Sequence, residues 1–135
     1  MALCVLDASV AIAFAMPDEI SPPDALFLAI HHQGAVVAQH WPFEVCNTLL
    51  TACRLGRIDM AEMKVARDEL QQMNVDVDLQ SARSCWFETS AMASELSLTI
   101  YDAAYLELAR RRQLPLATLD QRLAIAARIC GIEVL

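Results

Sequence analysis

The chain has 135 residues, 56% of them hydrophobic and 20% charged, which is enough for one domain with one buried core. Only three Gly and five Pro interrupt the apolar residues, so the composition argues against a disordered chain or a linker. No apolar run reaches the roughly 20 residues that cross a bilayer. We therefore predict a single domain over residues 1–135, soluble and cytoplasmic.

The first predicted element is a buried strand at residues 3–6, which ends at Asp7. Ser9 is predicted to cap a short helix at residues 10–16, which Pro17 stops. This strand, turn and helix also account for the apolar start of the chain. A secretory signal fits it less well, because basic residues are missing and Asp7 interrupts the run.

Stronger start and stop signals bound the next two helices. Ser21 is predicted to cap a helix that Gly34 ends, and a short strand follows at residues 35–39. A second helix is predicted at residues 43–55, with Glu44 in its first turn. The order so far is strand, helix, helix, strand, helix.

The second half of the chain continues this alternation. Asp59 and Glu62 form a predicted capping box for a helix that ends near residue 72. Residues 75–79 alternate as a half-exposed strand does, and residues 81–96 have the pattern of an amphipathic helix. The remaining predicted elements are a helix, a strand, a helix and a strand, at residues 101–112, 116–119, 121–130 and 132–135.

Nearly continuous apolar strands that alternate with helices are typical of a parallel sheet covered on both faces. In such folds, ligands bind beyond the carboxyl ends of the strands. Acidic residues stand at these strand ends and at the helix starts that share their rim. They are Asp7, Glu44, Asp102 and Asp120.

Carboxylates repel one another unless a cation neutralises them, so four of them on one rim indicate a site for Mg²⁺ or Mn²⁺. Each acid also has a structural interpretation. An acid in a first helical turn is stabilised by the helix dipole, which applies to Glu44 and Asp102, and Asp120 could cap its helix. Asp7 is harder to explain in this way, because an unpaired charge inside an apolar segment is costly.

The net charge of −7 argues at first against a nucleic-acid substrate, because phosphate recognition normally requires an excess of basic residues. Two divalent ions would neutralise the four acids and leave a net charge of about −3. The arginines at residues 110–112 close a predicted helix, where cations complement the dipole, with phosphate contact as the alternative.

At the same acids the chain resembles the PIN-domain ribonucleases, and among them the VapC-type toxins of toxin–antitoxin pairs. The resemblance runs through VLDASV, PFEVCNTLL, TIYDAAYLELA and LATLDQRL, in the family's order, and covers nearly the whole chain. It implies an α/β/α sandwich with a mainly parallel sheet, Mg²⁺-dependent RNA cleavage, a homodimer and a cognate antitoxin. It also implies acidic-site roles for Asp7, Glu44, Asp102 and Asp120, with Ser9 and Thr118 in support.

Two other functions remain open on the sequence. One is a PIN-like scaffold that binds RNA or protein without catalysis, although such a protein has little reason to keep four acids. The other is a phosphoryl-transfer protein or phosphatase with an acid after its first strand. Against it, Asp7 and Ser9 do not form the Asp-x-Asp pair of dehalogenase-like phosphatases, and no Lys lies near the last strand.

Several other side chains have structural interpretations that we prefer. His40 lies four residues before Glu44 and could reach the same rim, but we expect it to be structural. The five cysteines lie in apolar runs without a Cys-x-x-Cys pair, so we expect buried, reduced thiols. We also expect core or dimer contacts, rather than base stacking, for the aromatic residues Trp41, Phe43, Trp86 and Phe87.

Overall fold

Four short parallel strands form the central sheet of the protein, in the order β3-β2-β1-β4. The structure is a computed structural model that describes residues 1–135. Its strands are β1 (Cys4–Leu6), β2 (Ala35–Val37), β3 (Val75–Val77) and β4 (Leu116–Ala117). Every neighbouring pair is parallel, so each connection must cross over the sheet through helices.

The crossover helices make up two groups that pack against the sheet as outer layers. The helices are α1 (Ala8–Ala15), α2 (Asp24–Gln33), α3 (Trp41–Arg54), α4 (Met60–Gln71), α5 (Ser81–Ser84), α6 (Ser90–Leu96), α7 (Ile100–Arg112) and α8 (Gln121–Ile129). A π-helical segment, Cys85–Thr89, joins α5 to α6. Helices α1, α3 and α4 contact one another, and α7 contacts α6, α8 and β1. The predicted α/β/α sandwich is confirmed.

The core follows from the strand sequences and from one unusually buried helix. Strands β1 and β2 are buried at every residue, as expected for a sheet covered on both faces. Helix α7 is buried at each position from 103 to 109, which includes the fully buried Tyr105. Each large apolar side chain removed from water in this way contributes roughly 1.5–3 kcal/mol. Helix α7 therefore has a fixed position relative to β1.

Two predicted helix caps are wrong. Helix α1 begins at Ala8, so Ser9 lies inside the helix, and its hydroxyl donates to Asp7 instead. Helix α2 begins at Asp24, and the hydroxyl of Ser21 donates to the carbonyl of Pro22. The second error has a steric cause. Pro22 precedes Pro23, and a residue before a proline is disfavoured in the helical conformation, so the helix begins later than predicted. By contrast, the predicted capping box at the start of α4 is confirmed: Glu62 N donates to Asp59 Oδ1 at 2.7 Å.

The C-terminal strands are shorter than predicted. Strand β4 ends at Ala117, and the predicted strand at 132–135 is reduced to a bridge between Leu116 and Val134. The amides that follow β4 find side-chain acceptors instead of a neighbouring strand, because Leu119 N donates to Ser9 Oγ. Local hydrogen bonds of this kind compete with the ladder of a sheet.

The aromatic and cysteine predictions hold only in part. Trp41 is buried, but Phe43, Trp86 and Phe87 are largely exposed, which is contrary to a role as core anchors within this chain. The helical periodicity changes at the π-helical segment, where an additional residue in the turn shifts the helix face. All five cysteines are free, Cys4 is buried as expected, and Cys46 is exposed.

A buried group of charges joins α7 to the end of β3. Arg111 donates to Asp78 Oδ2 at 2.6 Å and to Glu107 Oε1 at 2.8 Å, and both carboxylates are almost fully buried. Burial alone would raise the pKa of Asp78, but hydrogen bonds from Arg111 and Ser81 and the charge of Arg111 lower it. Arg111 thus has a structural role, but as the partner of two buried carboxylates and not only as the cation at a helix end that the sequence predicted.

None of the helices combines the length and apolar character that a membrane span requires.

Candidate active site

Asp7 occupies the turn between β1 and α1, where a buried strand ends at the sheet's rim. Its residue surface is only 5% exposed. It stands at the N-cap position of α1, but its side chain makes no capping hydrogen bond to that helix. Helix capping, the simplest structural role for a carboxylate at this position, therefore does not explain Asp7.

Two hydroxyls hold the Asp7 carboxylate in place. Ser9 Oγ and Thr118 Oγ1 donate to the same oxygen, Asp7 Oδ2, at 2.7 and 2.6 Å. Each hydroxyl oxygen accepts a backbone amide in turn, Ser9 from Leu119 and Thr118 from Asp120. This network ties the turn after β1 to the turn after β4. Ser9 and Thr118, the two residues predicted to support the acids, thus both contact Asp7.

The other three acids differ in how far helix capping explains them. Asp120 caps α8, because its Oδ1 accepts from the amides of Arg122 and Leu123 at 2.9 and 3.2 Å. Asp102 does not cap α7, since Thr99 holds the N-cap and accepts the amide of Asp102. Helix capping therefore accounts for part of the role of Asp120, whereas Asp102 makes no cap and has only the dipole interaction of a first-turn acid.

Glu44 is turned toward the interior of the rim. Its Oε1 accepts a hydrogen bond from the Tyr105 hydroxyl at 3.3 Å, and its Oε2 lies 4.0 Å from His40 Nε2. No side-chain cap is formed at the start of α3. Glu44 thus contacts buried groups of α7 rather than the free amides of its own helix.

All four acids line one cavity of about 540 Å³ at this rim. Ser9 lines it as well, and Thr118 lies beneath it in contact with Asp7. The structure therefore brings together every acid that the sequence singled out, although they come from four separate segments of the chain. The acids are Asp7, Glu44, Asp102 and Asp120.

The acids also affect one another's protonation. Burial raises the pKa of Glu44 to about 7, and the charges of Asp7 and Asp102 add to this rise. Burial raises the pKa of Asp102, as do the charges of Asp120 and Asp7. Burial raises the pKa of Asp7, and the hydrogen bonds from Thr118 and Ser9 oppose this effect only in part. The cavity is thus a place where negative charge lacks compensation.

The donor set fits a hard divalent cation in its chemistry. It consists of carboxylate oxygens, which Mg²⁺ and Mn²⁺ prefer. However, no three His, Cys, Asp or Glu side chains lie close enough together to coordinate one ion directly. Mg²⁺ is commonly held by one or two carboxylates within a largely hydrated shell, so this spacing is compatible with it.

Three residues of this region were missed or set aside in the sequence. Tyr105 has a discernible signal, because it lies three residues after Asp102 and so shares its helix face. His40 lies one turn before Glu44; burial lowers its pKa, which the charge of Asp7 opposes. Glu19 lines the cavity from the exposed loop before α2, and no pattern in that loop indicates it.

Comparisons with known proteins agree with this geometry. The family model described as PIN domain matches residues 4–129, which include all four acids. The chain is similar to the crystal structure of PAE2754 from Pyrobaculum aerophilum, with a TM-score of 0.73 and 26% sequence identity, over 99% of this chain and 92% of that one. No curated protein matches the chain. The PIN domain is in general a nuclease fold, and this chain belongs to the PIN domain family.

Proposed function

We propose that this protein is a divalent-metal-dependent ribonuclease whose active site is the carboxylate cavity at the strand ends. The observation that carries the proposal is the convergence of four acids on one cavity around a buried Asp7. A protein that only bound RNA would have no use for this concentration of negative charge, because phosphates are repelled by it. Membership of a nuclease family supports the same conclusion.

Asp7 and Asp102 would be the principal ligands of the ion. Asp7 is already oriented by two hydroxyls, so little reorganisation is needed for its carboxylate to bind a cation. Glu44 and Asp120 would complete the site, and Asp120 has its second oxygen, Oδ2, for this role while Oδ1 caps α8. When bound, the ion supplies a more acidic water and stabilises charge on the leaving oxygen.

Glu44 would move a proton at its carboxylate. Without a cation, burial and the charges of Asp7 and Asp102 raise its pKa to about 7. In the loaded site the carboxylate would be charged and able to accept a proton from water. Tyr105 donates to Glu44 Oε1 and thereby orients the carboxylate that takes part in this transfer. A cation in the cavity would lower the pKa of Glu44 and favour its charged form.

The direct test is an RNA cleavage assay with the purified protein. Labelled single-stranded RNA should be cut in the presence of Mg²⁺ or Mn²⁺ and remain intact with EDTA. A DNA strand of the same sequence distinguishes a ribonuclease from a general nuclease. Metal-independent cleavage, or none under any condition, would contradict the proposal.

Divalent metal should raise the melting temperature of the wild type, because the acids are assembled only in the folded state. We expect a rise of several °C in millimolar Mn²⁺ and a smaller one in Mg²⁺, following the general affinity order of divalent ions. Thermal scans at fixed pH measure this effect. The Asp7→Asn variant should lose most of this increase in melting temperature. An unchanged wild-type melting temperature in Mn²⁺ would contradict the proposed metal site.

We further propose that the protein is the cytoplasmic toxin of a VapBC-type pair, acts as a homodimer and is inhibited by a cognate antitoxin. The motifs that support this run through nearly the whole chain. An exposed apolar face on α3, which includes Phe43 and Leu50, offers area for a second protein surface. Induced expression should arrest growth, and co-expression of the product of an adjacent short reading frame should restore it. Light scattering of the purified protein tests the dimer.

A further inference from the structure

Three aromatic rings form a row that leads from the core to the surface beside the carboxylate cavity. Tyr105 is fully buried, and the ring of His40 packs against it with 4.8 Å between centroids. Tyr101 packs on the ring of His40 at 5.5 Å. The two tyrosines are one turn apart on α7, and His40 comes from the start of α3. The position of Tyr101 is thus fixed from beneath.

Tyr101 is nevertheless 65% exposed, so much of its surface is free to contact a ligand. Tyr101 does not itself line the cavity, but its ring packs on His40, whose Nε2 lies 4.0 Å from Glu44 Oε2. An aromatic ring that is supported on one side and open on the other is suited to stacking with a planar group. The RNA that the proposed active site would cut carries such planar groups, its nucleobases.

We propose that Tyr101 is a base-stacking residue of the substrate site, on which a nucleobase adjacent to the scissile phosphate stacks. This inference rests on the proposed ribonuclease function. Stacking of this kind requires a base with a free face, so the substrate must be unpaired at that nucleotide. His40 prepares the ring by restricting it before the RNA arrives, which reduces the entropy lost on binding.

Other exposed aromatic side chains do not share this arrangement. Phe43 and Trp86 are even more exposed than Tyr101, but neither forms a ring pair with a second aromatic residue. Trp86 belongs to the π-helical segment, and its ring does not pair with His40, the residue that lies beside Glu44. It therefore provides a matched control, as an aromatic side chain of similar exposure at another place.

The kinetic test compares variants of Tyr101 on a single-stranded RNA. Tyr101→Ala should raise KM about tenfold with a much smaller change in kcat, since base stacking contributes mainly to binding. Tyr101→Phe and Tyr101→Trp should remain near wild type, while Tyr101→Leu should behave like alanine. Trp86→Ala should leave KM unchanged. Equal KM values for wild type and Tyr101→Ala would overturn the proposal while the ribonuclease function stood.

A binding test locates the stacked base without relying on cleavage. Labelled oligonucleotides with one abasic position each are titrated at low salt in Ca²⁺, a cation that carboxylates bind and that neutralises the cavity, and anisotropy reports their affinity. One abasic position should weaken binding to the wild type about tenfold and have no further effect on Tyr101→Ala. Identical abasic profiles for the two proteins, or no binding by the wild type, would overturn the inference. Failure of cleavage alone would instead count against the proposed function.

Discussion

Asp7→Asn should reduce metal-dependent RNA cleavage about 100-fold or more, which is the order of loss seen when one preorganised electrostatic group is removed. Asparagine can still accept the hydrogen bonds of Ser9 and Thr118, so the turn should keep its shape. What the substitution removes is the charge that binds the cation. Initial rates on one labelled RNA in Mn²⁺ measure the loss.

The control is Asp76→Asn, which removes an acid from the exposed position in β3. It should leave the rate unchanged, because this side chain lies outside the carboxylate cavity. Asp102→Asn should resemble Asp7→Asn, since Asp102 lines the cavity and does not cap its helix. Full activity in either cavity variant would show that the cavity is not the active site.

The Asp7→Asn substitution should also stabilise the protein when metal is absent. Burial raises the pKa of Asp7, so the folded state favours its neutral form. That stabilisation is present below the unfolded pKa of about 3.9 and is lost as pH rises through the folded pKa. The substituted amide stays neutral at every pH, so its stabilising advantage should be present at pH 8 and close to zero at pH 3. Urea unfolding in EDTA at the two pH values tests the sign.

Arg111→Ala should destabilise the fold by about 3 kcal/mol, because it leaves two buried carboxylates without their shared partner. Asp78 and Glu107 are 5% and 3% exposed, and both accept hydrogen bonds from Arg111. A loss of this size lowers the melting temperature of a domain of this length by roughly 10 °C. Urea unfolding and thermal scans both measure it.

Arg57→Ala is the matched control, because Arg57 also pairs with an acid, Asp18, but at an exposed site. Its effect should be much smaller, since water screens exposed ion pairs. The destabilisation caused by Arg111→Ala should diminish at acidic pH, where the carboxylate of Asp78 becomes protonated. The lowered pKa of Asp78 means that its stabilising contribution is lost as pH falls through its folded pKa. Equal losses in the two arginine variants would contradict the role assigned to Arg111.

Local sequence signals determined the elements and the identity of the acids. Apolar strands such as Cys4–Leu6 and the reciprocal pair of Asp59 and Glu62 act over a few residues, so their structure follows from neighbouring positions. Apart from the cap at Ser21, which failed because of a neighbouring proline, the predictions failed where distant groups competed with local ones. The hydroxyl of Ser9 was predicted to cap its own helix, but it bonds to Asp7 and to the amide of Leu119.

The ends of the last strands failed for a related reason. Thr118 was expected within a strand but lies just beyond the end of β4, and its hydroxyl donates to Asp7 across more than 100 positions of the chain. The sequence also does not predict which aromatic side chains are exposed. A tryptophan such as Trp86 has the same local pattern whether its helix face meets the core or the solvent. Packing against other elements decides between the two.

The sequence by itself determined that Asp7, Glu44, Asp102 and Asp120 stand at strand ends and helix starts, because apolar runs and turn residues mark those boundaries. Only the tertiary structure decided which other groups share their cavity. The contact of Tyr105 with Glu44 joins α7 to α3 across 61 positions, and the ring row from Tyr105 through His40 to Tyr101 exists only because those two helices meet. Periodicity reports which face of an element is apolar, whereas the distance between two elements is set by the packing of the whole sheet and its helices.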